Sequence, residues 1–335
     1  MSGTFEVQWR LGKTTVYGTC VIPPGRGPFP AVVMVAGSGP TDRDWNSPLF
    51  PGTHGGGRLL AEALAEMGVA SVRYDKRVAG PHASENMREL AGSLTMESHR
   101  EEFQAAVEFL AGRPDIAADA IVGLGHSEGA IHVLHYQLQS PPVPLRGLIL
   151  AAPPGRPVGV VARAQLASQL AGQPEGPRWL GFYDEAITRF QAGEPASPDA
   201  SLPPEVKQLI ATLESPANLP FSRELWEADV ARLLAAITVP TLVIIGKKDI
   251  QVDWQVDGEI LAQAAGDMSH ITWHFPDNAN HVLKYEPQDR DRLSAAAVAV
   301  RYNAEDGVLD RETLTMIRNW LRNLWREFEG RKGLG

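Results

Sequence analysis

The sequence predicts an α/β fold with a mostly parallel central sheet, helices on both faces and an inserted helical cap. Three observations lead to this prediction. Apolar runs of strand length alternate with stretches of helical spacing through most of the 335 residues. Three of the strand-like runs end in glycine-containing segments, at Gly37, Gly125 and Gly246. The alternation stops between residues 153 and 237, where helical sequence interrupted by prolines takes over.

The elements follow from two periodicities, two residues for strands and 3.6 for helices. The first 22 residues predict a hairpin around Gly12-Lys13, and residues 30–36 are almost continuously apolar, as in a central strand. Further strands are predicted at 69–74, 119–124, 146–152, 239–246 and 271–276. Helices are predicted at 57–67, 95–110, 130–138 and 314–328, the last with Ile317, Trp320, Leu321 and Leu324 on one face.

The segment Gly125-His126-Ser127-Glu128-Gly129 is the strongest functional signal. It joins a predicted strand to a predicted helix, which is the setting of a nucleophile elbow. Such a turn holds its central residue at positive φ, and side chains at the two glycine positions would meet neighbouring backbone. Because a helix N-terminus favours developing negative charge, we predict that Ser127 is a nucleophile. The alternative is a glycine-rich turn with an incidental serine.

The acid and the base of a triad are expected after the serine in this arrangement. Asp249 follows the predicted strand 239–246, and an Asp past the carboxyl end of such a strand lies on the ligand side of the sheet. Asp253 is the alternative acid, and Asp249 could instead be a turn or helix-capping residue.

His281 lies in the polar loop after the predicted last strand, from which it can reach Ser127. We therefore predict His281 as the base. His274 within that strand and His270 at its start are interpreted as packing or surface residues.

Two backbone N–H groups are predicted to form the oxyanion hole. The strand at 30–36 ends in Gly37-Ser38-Gly39-Pro40, whose small residues allow close approach to a substrate carbonyl. One N–H is therefore assigned to Ser38 and the other to Glu128, which directly follows the nucleophile. The Glu128 side chain is expected to point away from the site and to satisfy a nearby group.

These motifs resemble those of α/β-hydrolases, and more narrowly of bacterial carboxylesterases grouped with serine-aminopeptidase-like and dienelactone-hydrolase-like proteins. The resemblance spans residues 30–285 and implies the α/β-hydrolase fold and a Ser-His-Asp triad. It rests on Gly37-Ser38-Gly39-Pro40-Thr41-Asp42-Arg43-Asp44, Val72-Arg73-Tyr74-Asp75-Lys76-Arg77, Gly125-His126-Ser127-Glu128-Gly129, Gly246-Lys247-Lys248-Asp249 and Asn280-His281. Two positions differ from the family pattern: Ala36 stands where a His is frequent, and residues 78–82 replace a Gly-x-Gly-x-Ser turn.

Composition excludes several classes of protein. A net charge of −9 disfavours nucleic acid and anionic membranes as partners. No secretory signal and no bilayer-length apolar run is visible. The single cysteine, Cys20, excludes an internal disulfide and a multi-cysteine metal site, and is expected to pack in the second strand. We expect a cytoplasmic enzyme that needs no metal or organic cofactor; the oligomeric state stays open.

The domain prediction follows from the broken alternation. Residues 1–152 and 238–335 are assigned to the α/β-hydrolase core and residues 153–237 to a helical cap, with an ordinary crossover carrying extra helices as the alternative. Residues 286–310 look too polar for a core and are expected to run over the surface.

Three functions fit these observations. The first is a carboxylesterase acting on short- or medium-chain acyl esters. The second is another acyl hydrolase on the same triad, such as a peptidase, thioesterase or amidase. The third is a ligand-binding protein without turnover, although a pure binder would not need His281.

Overall fold

A computed structural model describes residues 3–332, including their side chains except those of residues 295, 296, 299 and 327–332. The described strands form one eight-stranded sheet. They are β1 (Gly3–Leu11), β2 (Thr14–Ile22), β3 (Phe29–Val35), β4 (Ala70–Tyr74), β5 (Ile116–His126), β6 (Gly147–Ala151), β7 (Thr241–Ile244) and β8 (Ile271–His274). The order across the sheet is β1-β2-β4-β3-β5-β6-β7-β8. Strands β1 and β2 are antiparallel to their neighbours, and the other pairs are parallel.

Twelve α-helices are present in residues 3–332. They are α1 (Gly56–Glu66), α2 (Ala83–Leu90), α3 (Met96–Ala111), α4 (Gly129–Leu138), α5 (Val158–Leu170), α6 (Gly176–Gln191), α7 (Pro204–Leu213), α8 (Phe221–Glu227), α9 (Val230–Leu234), α10 (Val256–Ala265), α11 (Ala295–Tyr302) and α12 (Arg311–Lys332). Helices α2, α10 and α11 lie outside the helices predicted from the sequence. None of the described helices is long and apolar enough to cross a membrane.

The central strands are apolar on both faces because helices cover both sides of the sheet. In β3, Val33 and Val35 belong to one buried cluster, while Val32 and Met34 belong to another on the opposite face. This alternation of faces explains why the strand reads as an unbroken apolar run. The predicted face of α12, Ile317, Trp320, Leu321 and Leu324, packs in the second cluster. The predicted α/β architecture, a mostly parallel sheet with helices on both faces, is therefore confirmed.

Helices α5 to α9 occupy the segment between β6 and β7. Most of the apolar side chains of α5, α6 and α7 form a separate small core. In contrast, Val230 and Leu234 of α9 pack into the main core. The segment is thus helical, as the sequence predicted, and its last helix is integrated with the sheet domain.

Most of the described side chains of residues 286–310 are exposed or half-buried, as the sequence predicted, and a few are exceptions. Val298 and Tyr302 of α11 pack against Val282, and Glu286 is completely buried. The buried Glu286 is paired: the partly exposed Arg301 donates to its Oε1 at 3.0 Å. A sequence-based view of polarity misses such partners.

Candidate active site

Ser127 lies on a sharp turn between β5 and α4, with φ at 53°. Both flanking glycines are required by close backbone contacts. A Cβ at Gly125 would lie 2.3 Å from the Gly129 carbonyl oxygen, and one at Gly129 would lie 2.6 Å from the Val35 carbonyl oxygen. The turn therefore has the strained backbone and the two obligatory glycines of a nucleophile elbow.

Asp249 and His281 form a pair on the carboxyl side of β7 and β8. His281 Nδ1 lies 2.8 Å from Asp249 Oδ2. The other carboxylate oxygen accepts the backbone N–H groups of Gln251 at 2.7 Å and Val252 at 3.0 Å. Asp249 accepts a hydrogen bond from His281 Nδ1–H. This bond fixes the tautomer in which His281 Nε2 carries no proton and can act as a base.

His281 also lies beside the elbow. Its carbonyl oxygen is 2.9 Å from His126 Nε2, and the two imidazole rings are 4.8 Å apart. Within residues 3–332, no hydrogen bond joins the Ser127 hydroxyl to His281. The structure thus pairs the predicted acid with the predicted base and brings the base to the residue before Ser127.

The alternative acid and bases have other partners. Asp253 accepts Arg290 at 2.6 Å and caps the start of α10 through the N–H groups of Gln255 and Val256. His270 Nε2 lies 2.9 Å from the Ile237 carbonyl oxygen, and His274 Nε2 is 3.8 Å from Glu312. Asp253, His270 and His274 therefore have partners other than the Asp249–His281 pair and Ser127.

The loop after β3 lies against Ser127. A Cβ at Gly37 would be 3.0 Å from the Ser127 Cβ. In the described part of the chain, neither the Ser38 N–H nor the Glu128 N–H donates to a protein acceptor. Both groups predicted for the oxyanion hole are therefore free to donate to a ligand.

The same loop is fixed to the sheet by buried charge. The Arg43 guanidinium donates to Asp75 at 2.8 Å and to Glu6 at 2.6 Å. Gly80, in the turn that departs from the family pattern, has φ at 70°, and a Cβ there would lie 2.5 Å from the Asp75 carboxyl carbon. That turn therefore closes over the carboxylate that holds the loop.

The Glu128 side chain points away from Ser127 into the protein, as expected. Its Oε1 accepts the Lys76 ammonium at 2.6 Å and lies 3.0 Å from His132 Nε2. Burial alone would raise the Glu128 pKa, but Lys76 and His132 lower that pKa below its usual range. Burial lowers the pKa of His132 to about 4.

A second buried pair lies next to this one. Arg77 donates to Glu102 Oε1 at 2.7 Å, and His99 Nδ1 lies 2.8 Å from Glu102 Oε2. Burial opposes the charge on Glu102, but His99 and Arg77 lower its pKa to about 2. The rings of His99 and His132 are 4.9 Å apart, so the two pairs adjoin behind the elbow.

Sequence reasoning missed two residues beneath the elbow, His126 and Trp45. Their rings stack at 4.4 Å, and Trp45 has φ at 68°. Burial and the neighbouring His281 lower the pKa of His126 well below its usual value. His126 occupies a position of the G-x-S-x-G pattern that accepts many residue types, and Trp45 lies in the loop after β3, far away in the sequence. The stacking of the two rings could therefore not be predicted from the pattern.

The helical segment touches both sides of this site. The Phe221 ring of α8 lies 4.4 Å from the ring of His99 and 6.2 Å from that of His132. Gln165 of α5 donates to the Gln251 carbonyl at 3.0 Å, in the loop that carries Asp249. No group of three or more His, Cys, Asp or Glu side chains arranged for a metal occurs within residues 3–332.

A strained serine between a parallel strand and a helix, with an acid–histidine pair beside it, defines the α/β-hydrolase class. A model of the α/β-hydrolase family matches residues 32–296, and the chain belongs to that family.

One curated relative is an esterase. The chain is 29% identical over 270 residues to Esterase EstD of Thermotoga maritima, covering 79% of this chain and 57% of the relative. It thus spans somewhat more than half of that relative's length.

Two solved structures share the fold at low identity. An esterase of Pyrococcus furiosus superimposes with a TM-score of 0.55 at 16% identity, over 96% of this chain and 91% of the other. A dienelactone hydrolase of Anabaena variabilis gives a TM-score of 0.50 at 15% identity, over 96% of this chain and 97% of the other.

Proposed function

We propose that this protein is a carboxylesterase that cleaves short- to medium-chain acyl esters through Ser127, His281 and Asp249. One observation carries the proposal: the fully buried Asp249 holds His281 at 2.8 Å, next to a serine whose backbone is strained at φ 53°. A buried carboxylate bound to an imidazole is the arrangement that prepares a general base. The similarity to an esterase over most of the chain supports the choice of substrate class.

The proposed reaction has two halves. His281 Nε2 takes the proton of Ser127 Oγ as that oxygen attacks the acyl carbon, and the oxyanion accepts the N–H groups of Ser38 and Glu128. The intermediate collapses, His281 protonates the leaving alcohol, and an acyl-enzyme remains. His281 then removes a proton from water as the water oxygen attacks the acyl carbon, and it returns that proton to Ser127 Oγ as the ester bond breaks and the acid leaves. Rotation of the Ser127 hydroxyl toward His281 on substrate binding is part of the proposal.

The helical segment 153–237 is proposed to act as a cap over this reaction. Phe221 contacts His99, behind the turn that carries Ser127, and Gln165 bonds to Gln251 in the loop that carries Asp249. The segment therefore contacts the surroundings of both Ser127 and Asp249. A cap in this place would exclude water and enclose an apolar acyl chain. We propose a cytoplasmic enzyme with a small-molecule ester as its partner and no cofactor in the chemistry.

A panel of chromogenic acyl esters, amides and thioesters tests this function. We expect turnover of esters, highest for short or medium chains, and labelling of Ser127 by a fluorophosphonate located by mass spectrometry. Ser127→Ala is the matched control and should show neither. Faster turnover of thioesters or amides would move the function to another acyl hydrolase on the same triad. No turnover and no labelling would favour a ligand-binding protein.

A further inference from the structure

Lys76 is a buried charge that the proposed triad does not use. Its side chain is 3% exposed, and its Nζ lies 2.6 Å from Glu128 Oε1 and 2.7 Å from the Gly37 carbonyl oxygen. Burying an ammonium is costly unless it is paired and hydrogen-bonded. One partner shares a peptide group with the Ser38 N–H and the other is the side chain of Glu128, so each is linked to one donor of the proposed oxyanion hole.

The bond to Gly37 sets the direction of the Ser38 N–H. The carbonyl of Gly37 and the N–H of Ser38 belong to one peptide group, and the bond is trans. In a planar trans peptide these two groups point in opposite directions. A charge-assisted bond that holds the carbonyl therefore also aims the N–H. Gly37 packs against Ser127, so the peptide is held beside the reacting hydroxyl.

The bond to Glu128 fixes the second donor. The Glu128 side chain is 2% exposed and is held by Lys76 on one side and His132 at 3.0 Å on the other. Its backbone N–H has no protein acceptor in the described part of the chain. Anchoring the side chain inside the protein keeps that N–H directed to the site.

We propose that Lys76 is a positioning residue for the oxyanion hole: its ammonium ties the Gly37–Ser38 peptide to Glu128 and aligns both N–H donors before substrate binds. The inference rests on the proposed function and adds a residue to it. Catalysis by such a hole depends on donors that are already oriented when charge develops on the substrate oxygen. Loss of Lys76 should therefore act on the transition state rather than on substrate binding.

The test compares two paired variants that each remove a buried ion pair. Lys76→Met/Glu128→Gln removes the link between the donors without leaving an unpaired charge. Arg77→Met/Glu102→Gln removes the adjacent buried pair, which touches neither donor, and is the matched control. For each, kcat and KM are measured with the best ester, together with Ki for a trifluoromethyl ketone, whose tetrahedral adduct places an oxyanion in the hole. Circular dichroism and thermal unfolding establish that both are folded.

For the Lys76 variant we expect kcat to fall by about 10- to 100-fold, somewhat less than the loss typical of deleting a donor. Ki of the ketone should rise by a similar factor, with KM nearly unchanged. The control should keep its kcat and its Ki. Glu128→Gln alone leaves Lys76 bound to Gly37, so its losses should be smaller than those of the paired variant.

Unchanged kcat and Ki in the folded Lys76 variant, or equal losses in the control, would overturn the role of Lys76. If the paired variant does not fold, the milder Lys76→Gln/Glu128→Gln decides: a parallel change in kcat and Ki supports the role, and unchanged kcat and Ki contradict it. Failure of the proposed function has a different signature, because the wild-type protein would then neither hydrolyse esters nor react with a fluorophosphonate at Ser127.

Discussion

Two buried carboxylates flank Ser127, and they differ in what holds them. Asp249 accepts two backbone N–H groups and the His281 imidazole, and no Lys or Arg side chain bonds to its carboxylate among the described residues. Glu128 is instead bound directly to the Lys76 ammonium. An acid without a cation can stabilise a charge that appears on its histidine during the reaction. An acid neutralised by a lysine is a permanent structural group. Under the proposed function, Asp249 and His281 form the proton-handling side of the site, and Lys76 and Glu128 form the positioning side.

Removal of the Ser127 hydroxyl, on which both sides of the site act, should have the largest effect. Ser127→Ala is expected to lower kcat by about 10⁶-fold, because loss of the nucleophile abolishes the covalent route. The buried pairs on both sides do not involve the serine side chain, so thermal unfolding should change little. Steady-state kinetics and differential scanning calorimetry check both parts. Activity close to wild type would exclude Ser127 as the nucleophile.

The proton-handling side is tested by Asp249→Asn. The amide can impose the wrong His281 tautomer, and we expect kcat to fall by about 10⁴-fold. Asp253→Asn is the control, since Asp253 binds Arg290 and the start of α10 rather than the histidine. His281→Ala and His274→Ala form a second matched pair with the same expected contrast. Larger losses in the Asp253 or His274 variants would transfer the triad to those residues.

His132, which contacts Glu128 on the positioning side, should make the free energy of unfolding depend on pH in the acidic range. His132 has a pKa of about 4 in the folded protein, lowered by burial from 6.5. Between these values the unfolded chain binds a proton that the folded chain does not, so the free energy of unfolding decreases as pH falls from 6.5 to 4. The full loss is roughly 3 kcal/mol.

His132→Gln keeps a donor toward Glu128 and removes this titration, so it should flatten the decrease. Urea unfolding at pH 6.5, 5.5 and 4.5 measures the slope. An identical slope in wild type and His132→Gln would contradict the buried neutral state of His132.

The smallest expected effect comes from the helical segment 153–237, which contacts both the proton-handling side and the positioning side. A nonspecific protease should cut first between α6 and α7, at residues 193–203, because most of that connection is exposed. The nicked protein should still react with a fluorophosphonate at Ser127 but show a changed ester chain-length optimum. Pocket contacts of this kind are worth about 1–3 kcal/mol per methylene. First cleavage within the sheet domain, or an unchanged optimum, would argue against a cap that sets substrate preference.

The sequence determined those features that depend on local backbone chemistry. The turn at Ser127 was predictable because only glycine fits at positions 125 and 129. A Cβ at either position would lie 2.3 to 2.6 Å from a backbone carbonyl oxygen. The strands were predictable because burial on both faces leaves an unbroken apolar run. Asp249 and His281 could be proposed because the ends of parallel strands meet at one edge of the sheet.

Only the tertiary structure decided which distant polar groups meet. Lys76 and Glu128 are 52 residues apart, and no local pattern announces that one ammonium bridges Glu128 and Gly37. The complete burial of Glu286 is hidden in the sequence for the same reason, since it depends on the bond from Arg301, 15 residues further along the chain. Apolar burial leaves a periodic record in the sequence. A buried polar group depends on one particular partner, and that partner is fixed only when the chain has folded.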